Sequence, residues 1–469
     1  MFFDGTGNNA ANAALTAECR RSDREQFDDA TLQSIVEHCS QYGFKDLDAS
    51  GVFSSAPDDS YGNAASNVAL LSRLYVDNTN IALDADATTG YVSAYIEGIG
   101  TTNGSGDSIV TQGTGIGATG VVSRVQQSPT ILQARLDEFT QTNPGVCVRS
   151  VEFDIFGFSR GAAAARHFTN EVLKPNGGVL AEVLKPGQFG IWGGFDWATD
   201  ARINFIGLFD TVAAISDPLR GDFSPANDLN PGVNLYLPAN CARKVVQLSA
   251  RDERRWNFAL NSVAPEHQEI ELPGAHSDIG GGYPPQMEEK LLLTKPQYAV
   301  ITRNRPLEHS PVWRQAEVDA LVLEGRGLPG KGQMHSTYWS VPNAQHERES
   351  NSERVLVAVA IQRTVYGDLS RVALRAMHEL ALQHDVPFKE IPGTLQFAIP
   401  ADLQPIAEKI LAYAQGGPTT LTLQDNQLLQ SRYIHLSANW TPTYGVLVSK
   451  PAPNRRLVFA NKPQEGYPE

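Results

Sequence analysis

The chain has 469 residues, of which 41% are hydrophobic and 19% are charged, a composition typical of a globular protein. Its formal net charge of −14 at pH 7 argues against a nucleic-acid-binding protein, because affinity for nucleic acid comes from neutralising phosphates with Lys and Arg. The same charge disfavours anionic lipid headgroups, so any membrane contact is expected to be apolar or local. No apolar run reaches the about 18 residues of a transmembrane helix, and the N-terminus lacks the basic and apolar regions of a secretory signal peptide.

The N-terminal residues predict a strand followed by a surface insertion. Residues 1–4 are typical of a strand that ends in a turn, and since this strand begins at the first residue, we expect a few residues to precede it in the native chain. The polar, charged residues 17–60 indicate a surface insertion, in which Cys19 and Cys39 could pair in an oxidising compartment. None of the four cysteines lies in a CxxC pair, which argues against a zinc or thioredoxin-like site.

Four apolar runs predict the strands of a buried parallel sheet. They cover residues 146–156, 203–209, 245–248 and, more weakly, 269–272, and helical stretches lie between several of them. Nearly continuous apolar runs indicate strands that are covered on both faces. The sequence therefore predicts a three-layer α/β sandwich with a mostly parallel sheet over residues 1–285.

Beyond this core the sequence predicts a mainly helical region. Residues 286–430 are expected to form an appended or cap region, in which residues 353–384 are interpreted as two helices broken at Gly367. The tail, residues 431–469, contains strand-like pieces and is expected to rejoin the core.

The strongest local signal is Gly-Phe-Ser-Arg-Gly at 157–161, between a predicted strand and an alanine-rich helix. It matches the G-x-S-x-G nucleophile elbow, in which a serine lies on a strained strand-to-helix turn. Gly157 and Gly161 flank Ser159 because side chains there would collide with the neighbouring strand and helix. The elbow extends the fold prediction to an α/β-hydrolase-like sandwich, with Ser159 as the candidate nucleophile.

The elbow serine needs a base, and the base needs an orienting carboxylate. The elbow fold requires the order Ser, Asp, His along the chain, each just after a strand. Asp210 directly follows the apolar run 203–209, and His276 lies in a glycine-rich loop after residues 269–272. These two residues are the predicted acid and base. His435, on a strand-like piece of the tail, stays open as an alternative base.

Acyl transfer also needs N–H donors for the developing oxyanion. The backbone N–H of Arg160, directly after the nucleophile, is one candidate. The turn after the first strand offers the backbone N–H groups of Gly5 and Thr6, although these residues also suit a plain tight turn. No metal and no organic cofactor is expected, because this chemistry needs none.

Two other glycine-containing segments carry weaker signals. Residues 115–120 match G-x-G-x-x-G, but no strand precedes them and no acidic residue follows at the end of a next strand, so a dinucleotide site is not predicted. The segment 189–197 holds four aromatic residues among glycines. It is interpreted either as a lid or lipid-contacting loop, or as a loop that covers the core.

Four motifs jointly resemble those of the type VI secretion lipase effectors and their α/β-hydrolase relatives. They are Phe-Phe-Asp-Gly-Thr-Gly-Asn-Asn at 2–9, Gly-Phe-Ser-Arg-Gly-Ala at 157–162, Phe-Asp-Thr-Val at 209–212 and His-Ser-Asp-Ile-Gly-Gly-Gly-Tyr at 276–283. The resemblance implies phospholipase activity, with Ser159, Asp210 and His276 as the triad. It also implies secretion into the periplasm of a rival bacterium without a signal peptide. The implied partners are a phospholipid membrane, a cognate immunity protein and a component of the secretion spike or tube.

The sequence therefore predicts a serine hydrolase of the phospholipase A1 or A2 type, which cleaves phospholipid acyl esters through an acyl-enzyme. Two alternatives stay open. One is a soluble esterase that acts on small or carbohydrate-borne esters, and the other is a non-catalytic binding module or a toxin that acts through the C-terminal region. The substrate class depends mainly on the resemblance, because one fold hosts many functions.

Overall fold

In the part of the chain that this computed structural model describes, the strands fall into one parallel sheet and three smaller sheets. The structure describes residues 1–6, 45–46, 53–55, 64–98, 120–215, 228–295, 297–325, 327–328, 333–341, 351–438 and 455–463. The strands within these residues are β1 Phe2–Phe3, β2 Lys45–Asp46, β3 Phe53–Ser55, β4 Tyr95–Ile96, β5 Val151–Phe158, β6 Ala201–Phe209, β7 Lys244–Ala250, β8 Leu260–Asn261, β9 Gln268–Leu272, β10 Gln286–Leu292, β11 Gln297–Thr302, β12 Met334–Val341, β13 Ser352–Tyr366 and β14 Val458–Phe459. The α-helices are α1 Asn67–Leu74, α2 Val121–Thr142, α3 Arg160–Val172, α4 Trp197–Asp200, α5 His276–Gly280, α6 Pro311–Gly325, α7 Leu369–Leu382, α8 Gln404–Ala414 and α9 Leu423–Leu428.

The main sheet has six parallel strands in the order β4-β1-β5-β6-β7-β9. Its central strands are buried on both faces, as their nearly continuous apolar sequences predicted. Ile155 of β5 packs with apolar side chains of α2 and α3 on one face, whereas Phe156 packs with α1, α7 and α8 on the other. The predicted three-layer sandwich is confirmed.

One helical layer comes from the region expected to be an appendage. Helix α7 buries an apolar face against the main sheet and α8 packs against α7, since apolar side chains recur at helical spacing along one side of each helix. The core therefore draws on residues beyond 285 as well as on the first part of the chain.

The first part of the expected helical region is mostly sheet. Strand β13 pairs antiparallel with β10, β11 and β12, and α6 covers one face. The prediction of a helix over the first half of residues 353–384 was wrong, because Val355, Val357 and Val359 repeat with the period of two that places β-branched side chains on one buried face. The second predicted helix is present as α7.

The tail rejoins the body of the protein as a short strand. Strand β14 pairs parallel with β8, and the side chain of Asn461 bonds to the backbone N–H and C=O of Leu237. The strand-like piece around His435 is not a strand; it follows a single π-helical turn at Leu429–Tyr433.

Several predictions fall partly or wholly on residues outside the described ranges. Cys19 and Cys39 lie outside them, as do all but the last residue of the G-x-G-x-x-G match at 115–120. Of the expected insertion at 17–60, only β2 and β3 are described, and they pair antiparallel. Among the described residues, no helix is both long enough and apolar enough to cross a bilayer.

Candidate active site

Ser159 lies on a sharp turn between β5 and α3, at the carboxyl edge of the main sheet. Its φ of 57° is a left-handed conformation that non-glycine residues rarely adopt, and its side chain is buried. A Cβ on Gly157 would lie 2.6 Å from the Cα of Ala162, and one on Gly161 would lie 2.2 Å from the carbonyl oxygen of Asp4. Both glycines are therefore required for the close approach of strand, turn and helix.

His276 links Ser159 to Asp210. Its Nε2 lies 2.8 Å from the Oγ of Ser159, and its Nδ1 lies 2.5 Å from Oδ2 of Asp210. The ring is buried between the aromatic rings of Phe158 and Phe258, with centroid distances of 4.7 and 5.0 Å. These rings leave the imidazole little freedom to turn away from the serine.

Asp210 follows β6, again with a positive φ of 44°, and its side chain is fully buried. Its Oδ1 accepts the backbone N–H of Ala250 at 2.9 Å. The guanidinium of Arg456 contacts both carboxylate oxygens, with Nη1–Oδ1 at 2.7 Å and Nη2–Oδ2 at 2.8 Å. Burial alone would raise the pKa of Asp210, but Arg456 and His276 outweigh it and hold this pKa well below its ordinary value. The carboxylate is therefore ionised at any physiological pH.

The imidazole of His276 is neutral at rest. Burial lowers its pKa below the ordinary value, and the hydrogen bond and charge of Asp210 only partly offset this effect. With Nδ1–H donated to Asp210, Nε2 carries the lone pair that faces the serine hydroxyl. This arrangement can remove a proton from Ser159 as the hydroxyl attacks an electrophile.

The turn after β1 lies against the elbow. The side chain of Arg160 reaches this turn through a 3.4 Å hydrogen bond to the Thr6 hydroxyl and also donates to the carbonyls of Ala213 and Ala214. The backbone N–H of Arg160 directly follows the nucleophile, in the first turn of α3. The Gly5 N–H donates to the Asp4 carboxylate at 2.7 Å, so it must leave that contact to bind an oxyanion.

His435 faces a different carboxylate. Its Nδ1 lies 2.7 Å from Oδ1 of Asp278, its backbone N–H donates to Oδ2 at 3.0 Å, and its ring stacks on Tyr283. In this conformation His276, and not His435, is the histidine within hydrogen-bond distance of the Ser159 hydroxyl.

The aromatic segment 189–197 lies at the opposite edge of the main sheet from Ser159. It bridges to Val148, before the start of β5, and α4 leads directly into β6. Strand β5 has eight residues, so about 25 Å separates the segment from the elbow. The indole N–H of Trp197 donates to a backbone carbonyl of α3 at 2.8 Å. The segment covers the core, as one of its two interpretations predicted, and does not lie over the candidate site.

Residues 194–302, which include Asp210 and His276, match the family model described as T6SS, Phospholipase effector Tle1-like, catalytic domain. The solved structure of the Tle1 effector bound to the VgrG spike from the Type 6 secretion system matches with a TM-score of 0.73. The two chains are 29% identical, and the match covers 98% of this chain and 92% of that chain. Residues 194–302 are thus similar to the Tle1-like catalytic domain, and the fold of the whole chain is similar to that of the Tle1 effector. The resemblance inferred from the motifs is confirmed.

A second solved structure is less similar to this chain. A structure of an uncharacterised protein from Pseudomonas aeruginosa covers 91% of this chain and 52% of its own, with 16% identity and a TM-score of 0.38, too low to bear on fold or function. No curated protein sequence matches the chain.

Sequence reasoning missed two groups at the candidate site, Arg456 and the pair of Glu253 with Arg255. The Glu253 carboxylate accepts the backbone N–H of His276 at 3.3 Å and two hydrogen bonds from the Arg255 guanidinium. The charged run after β7 was a usable signal, since it follows a buried strand at the carboxyl edge of a parallel sheet. Arg456 carried no such signal, because it is far along the chain in the tail. Among the described residues, no cluster of His, Cys, Asp and Glu is arranged to hold a metal ion.

Proposed function

We propose that this Tle1-like chain is a serine hydrolase that cleaves phospholipid acyl esters, with Ser159, His276 and Asp210 as its catalytic residues. The observation that carries the proposal is the unbroken hydrogen-bond chain from the serine hydroxyl through the imidazole to a buried carboxylate. The strained backbone at Ser159 supports it, because such strain is concentrated at functional residues.

In the proposed first step, the Oγ of Ser159 attacks the ester carbonyl while Nε2 of His276 takes the hydroxyl proton. The tetrahedral intermediate collapses as the carbonyl reforms and the ester C–O bond breaks. The imidazolium returns the proton to the departing lysophospholipid oxygen, which leaves an acyl-enzyme. Water, deprotonated by the same imidazole, then releases the fatty acid and restores the serine. Asp210 stabilises the imidazolium that forms in each half of the reaction.

The backbone N–H of Arg160 is the first proposed donor to the oxyanion, because it follows the nucleophile at the start of α3 and is backed by the positive end of the helix dipole. The turn of Gly5 and Thr6 is the proposed source of the second donor. The tie between Arg160 and Thr6 fixes this turn relative to the elbow.

The Tle1-like match supports a phospholipid substrate and delivery by a type VI secretion system. We propose that the chain is loaded on a type VI secretion spike, as the matching structure shows for the Tle1 effector, and that it acts as an antibacterial toxin in the target periplasm. A cognate immunity protein would then protect the producing cell. Export to the periplasm of a test bacterium should be toxic, whereas expression of the same chain in its cytoplasm should be tolerated.

The test of the enzyme is fatty-acid release from vesicles of mixed bacterial phospholipids. Ser159→Ala, Asp210→Asn and His276→Ala should each lose activity, whereas Ser72→Ala, a serine within α1, serves as the matched control. Analysis of the released lipids by mass spectrometry also gives the acyl position that is cut.

The alternatives give different results in the same experiments. Turnover of short soluble nitrophenyl esters, with no stimulation by vesicles, would identify a soluble esterase. Full periplasmic toxicity of the Ser159→Ala variant would identify a toxin that does not use this site.

A further inference from the structure

Two guanidinium–carboxylate pairs flank the imidazole of His276. Asp210, on the Nδ1 side, is paired with Arg456, and Glu253, which accepts the backbone N–H of the histidine, is paired with Arg255. The Ser159 hydroxyl contacts Nε2 of the ring, and the aromatic rings of Phe158 and Phe258 pack against it. In the Ser-His-Asp template the carboxylate acts on the histidine alone, whereas Asp210 also binds a guanidinium.

Arg456 is held in place from three sides. Its two Nη atoms lie on the two oxygens of Asp210, and its Nε donates to the carbonyl of Phe258 at 2.6 Å. The side chain is 8% exposed. A guanidinium that bonds to both oxygens fixes the plane of a carboxylate. The single ammonium group of a lysine does not.

The tail that carries Arg456 is anchored beside the site. The N–H of Leu260 donates to the carbonyl of Leu457 and that of Ser262 to Phe459, both at 2.9 Å. The carboxamide of Asn461 accepts a hydrogen bond from the buried guanidinium of Arg166, on α3 behind the elbow, at 3.0 Å. The tail is thus fixed both to strand β8 and to helix α3, which begins directly after Ser159.

We propose that Arg456 is a positioning residue of the proposed hydrolase, which fixes the Asp210 carboxylate in the orientation that His276 needs and offsets its negative charge. The C-terminal tail is then a working part of the active site. This inference depends on the proposed function for its kinetic consequence, but its effect on the histidine is measurable without turnover.

The physical consequence is a less basic imidazole. Nη2 of Arg456 and Nδ1 of His276 bond to the same oxygen of Asp210, so the two nitrogens are at most about 5 Å apart. A cation at that distance disfavours the imidazolium. Removing this cation should therefore raise the pKa of His276, while the Glu253–Arg255 pair stays in place.

The experiment uses the full chain with Arg456→Gln, Arg456→Lys and the control Arg455→Gln, an exposed arginine one position away. Titration of carbon-13-labelled histidine by NMR, assigned with His276→Gln, follows the imidazole directly. The pH profile of kcat/KM on phospholipid vesicles reports the protonation of the same imidazole through its effect on the rate.

For Arg456→Gln, we expect the His276 titration and the acidic limb of kcat/KM to move together to higher pH, and kcat to fall about tenfold or more. Arg456→Lys retains the charge, so the titration should stay near that of the wild type while kcat falls. Arg455→Gln should match the wild type in both. A folded Arg456→Gln variant with an unmoved His276 titration would overturn the proposal. If that variant does not fold, wild-type kcat in Arg456→Lys would overturn the positioning role, and a reduced kcat with an unmoved titration would support it.

Failure of the proposed function would look different. An active Ser159→Ala variant would remove the proposed mechanism but would leave the NMR comparison of Arg456→Gln with wild type intact. An inactive Ser159→Ala variant, together with no effect of Arg456→Gln on either readout, would retain the hydrolase and reject only the role of Arg456.

Discussion

His435 and Asp278 form a second buried histidine–carboxylate pair, with Nδ1 and Oδ1 2.7 Å apart. The other oxygen of Asp278 accepts the backbone N–H of Ala275, directly before His276. The pair therefore joins the tail of the chain to the turn that presents His276 to Ser159. In this position His435 supports the turn before His276, whereas the sequence had also allowed it to be the base.

The two histidines should respond differently to substitution. We expect His276→Ala to reduce kcat by about 10⁴-fold or more, because the serine loses its base. His435→Gln should keep kcat within about tenfold while the free energy of unfolding falls by about 1–3 kcal/mol, since a buried carboxylate loses a partner. Phospholipid turnover and denaturant unfolding measure the two effects. Near-normal activity in His276→Ala together with an inactive, fully folded His435→Gln would mean that His435 is the base and His276 the structural residue.

The activity of the wild-type chain should extend below the pH at which an ordinary histidine gains its proton. Burial lowers the pKa of His276, so the imidazole stays neutral and able to accept a proton below the ordinary histidine value of about 6.5. The carboxylates beside it do not titrate in this range, since paired arginines hold the pKa of Asp210 low and that of Glu253 at about 2. We therefore expect the acidic limb of kcat/KM to have its midpoint below pH 6.5, and a midpoint above that value would contradict the electrostatic description of the site.

Much of this site could be predicted from local sequence, because the elbow and the strand ends are set by short-range patterns. Ser159 needs two glycines at fixed spacing, and Asp210 and His276 follow apolar runs that mark strands. Parallel strands bring such residues to one edge of a sheet. The triad geometry was thus inferable from residues more than 50 positions apart.

The parts that were missed depend on contacts that no local pattern encodes. Arg456 meets Asp210 only because a distant segment pairs with β8. Strand β13 was mistaken for a helix because Ala358 and Ala360 are buried on its second face, so apolar residues occupy successive positions and hide the period of two. Tertiary burial on both faces removed the alternation that identifies a strand.

His167 should make the folded protein sensitive to acid. Its Nδ1 accepts the backbone N–H of Asn234 at 3.0 Å, and burial lowers its pKa, so the folded state prefers the neutral ring. The unfolded chain binds the extra proton near pH 6.5, so this contribution to stability is present above that pH and is lost as pH falls below it. Between pH 7 and 5, His167→Gln should lose stability less steeply than the wild type, by up to about 1.4 kcal/mol per pH unit. Urea unfolding at each pH measures the slope.

The control for this effect is His309→Gln, at an exposed histidine on a surface turn. Its slope should equal that of the wild type. Equal slopes in all three proteins would show that His167 does not contribute to acid sensitivity.

Gly161→Ala tests whether steric contact or helix propensity decides stability at the elbow. Alanine is a better helix former than glycine by about 1 kcal/mol, which alone would make the substitution stabilising. The added Cβ, however, would lie 2.2 and 2.3 Å from the carbonyl oxygens of Asp4 and Phe3, which belong to the backbone at the end of a central strand and cannot move independently. We expect this clash to outweigh the gain in helix propensity, so that the free energy of unfolding falls by several kcal/mol or the protein is insoluble.

The matched control is Gly193→Ala, since no atom lies within 4 Å of a Cβ built there. Its free energy of unfolding should stay within about 1 kcal/mol of the wild type, or rise slightly because alanine restricts the unfolded chain. Chemical unfolding and soluble yield of both variants decide the matter. A Gly161→Ala variant as stable and active as Gly193→Ala would mean that the turn after β1 does not press on the elbow, and its Gly5 and Thr6 amides would then lose their proposed place beside the oxyanion.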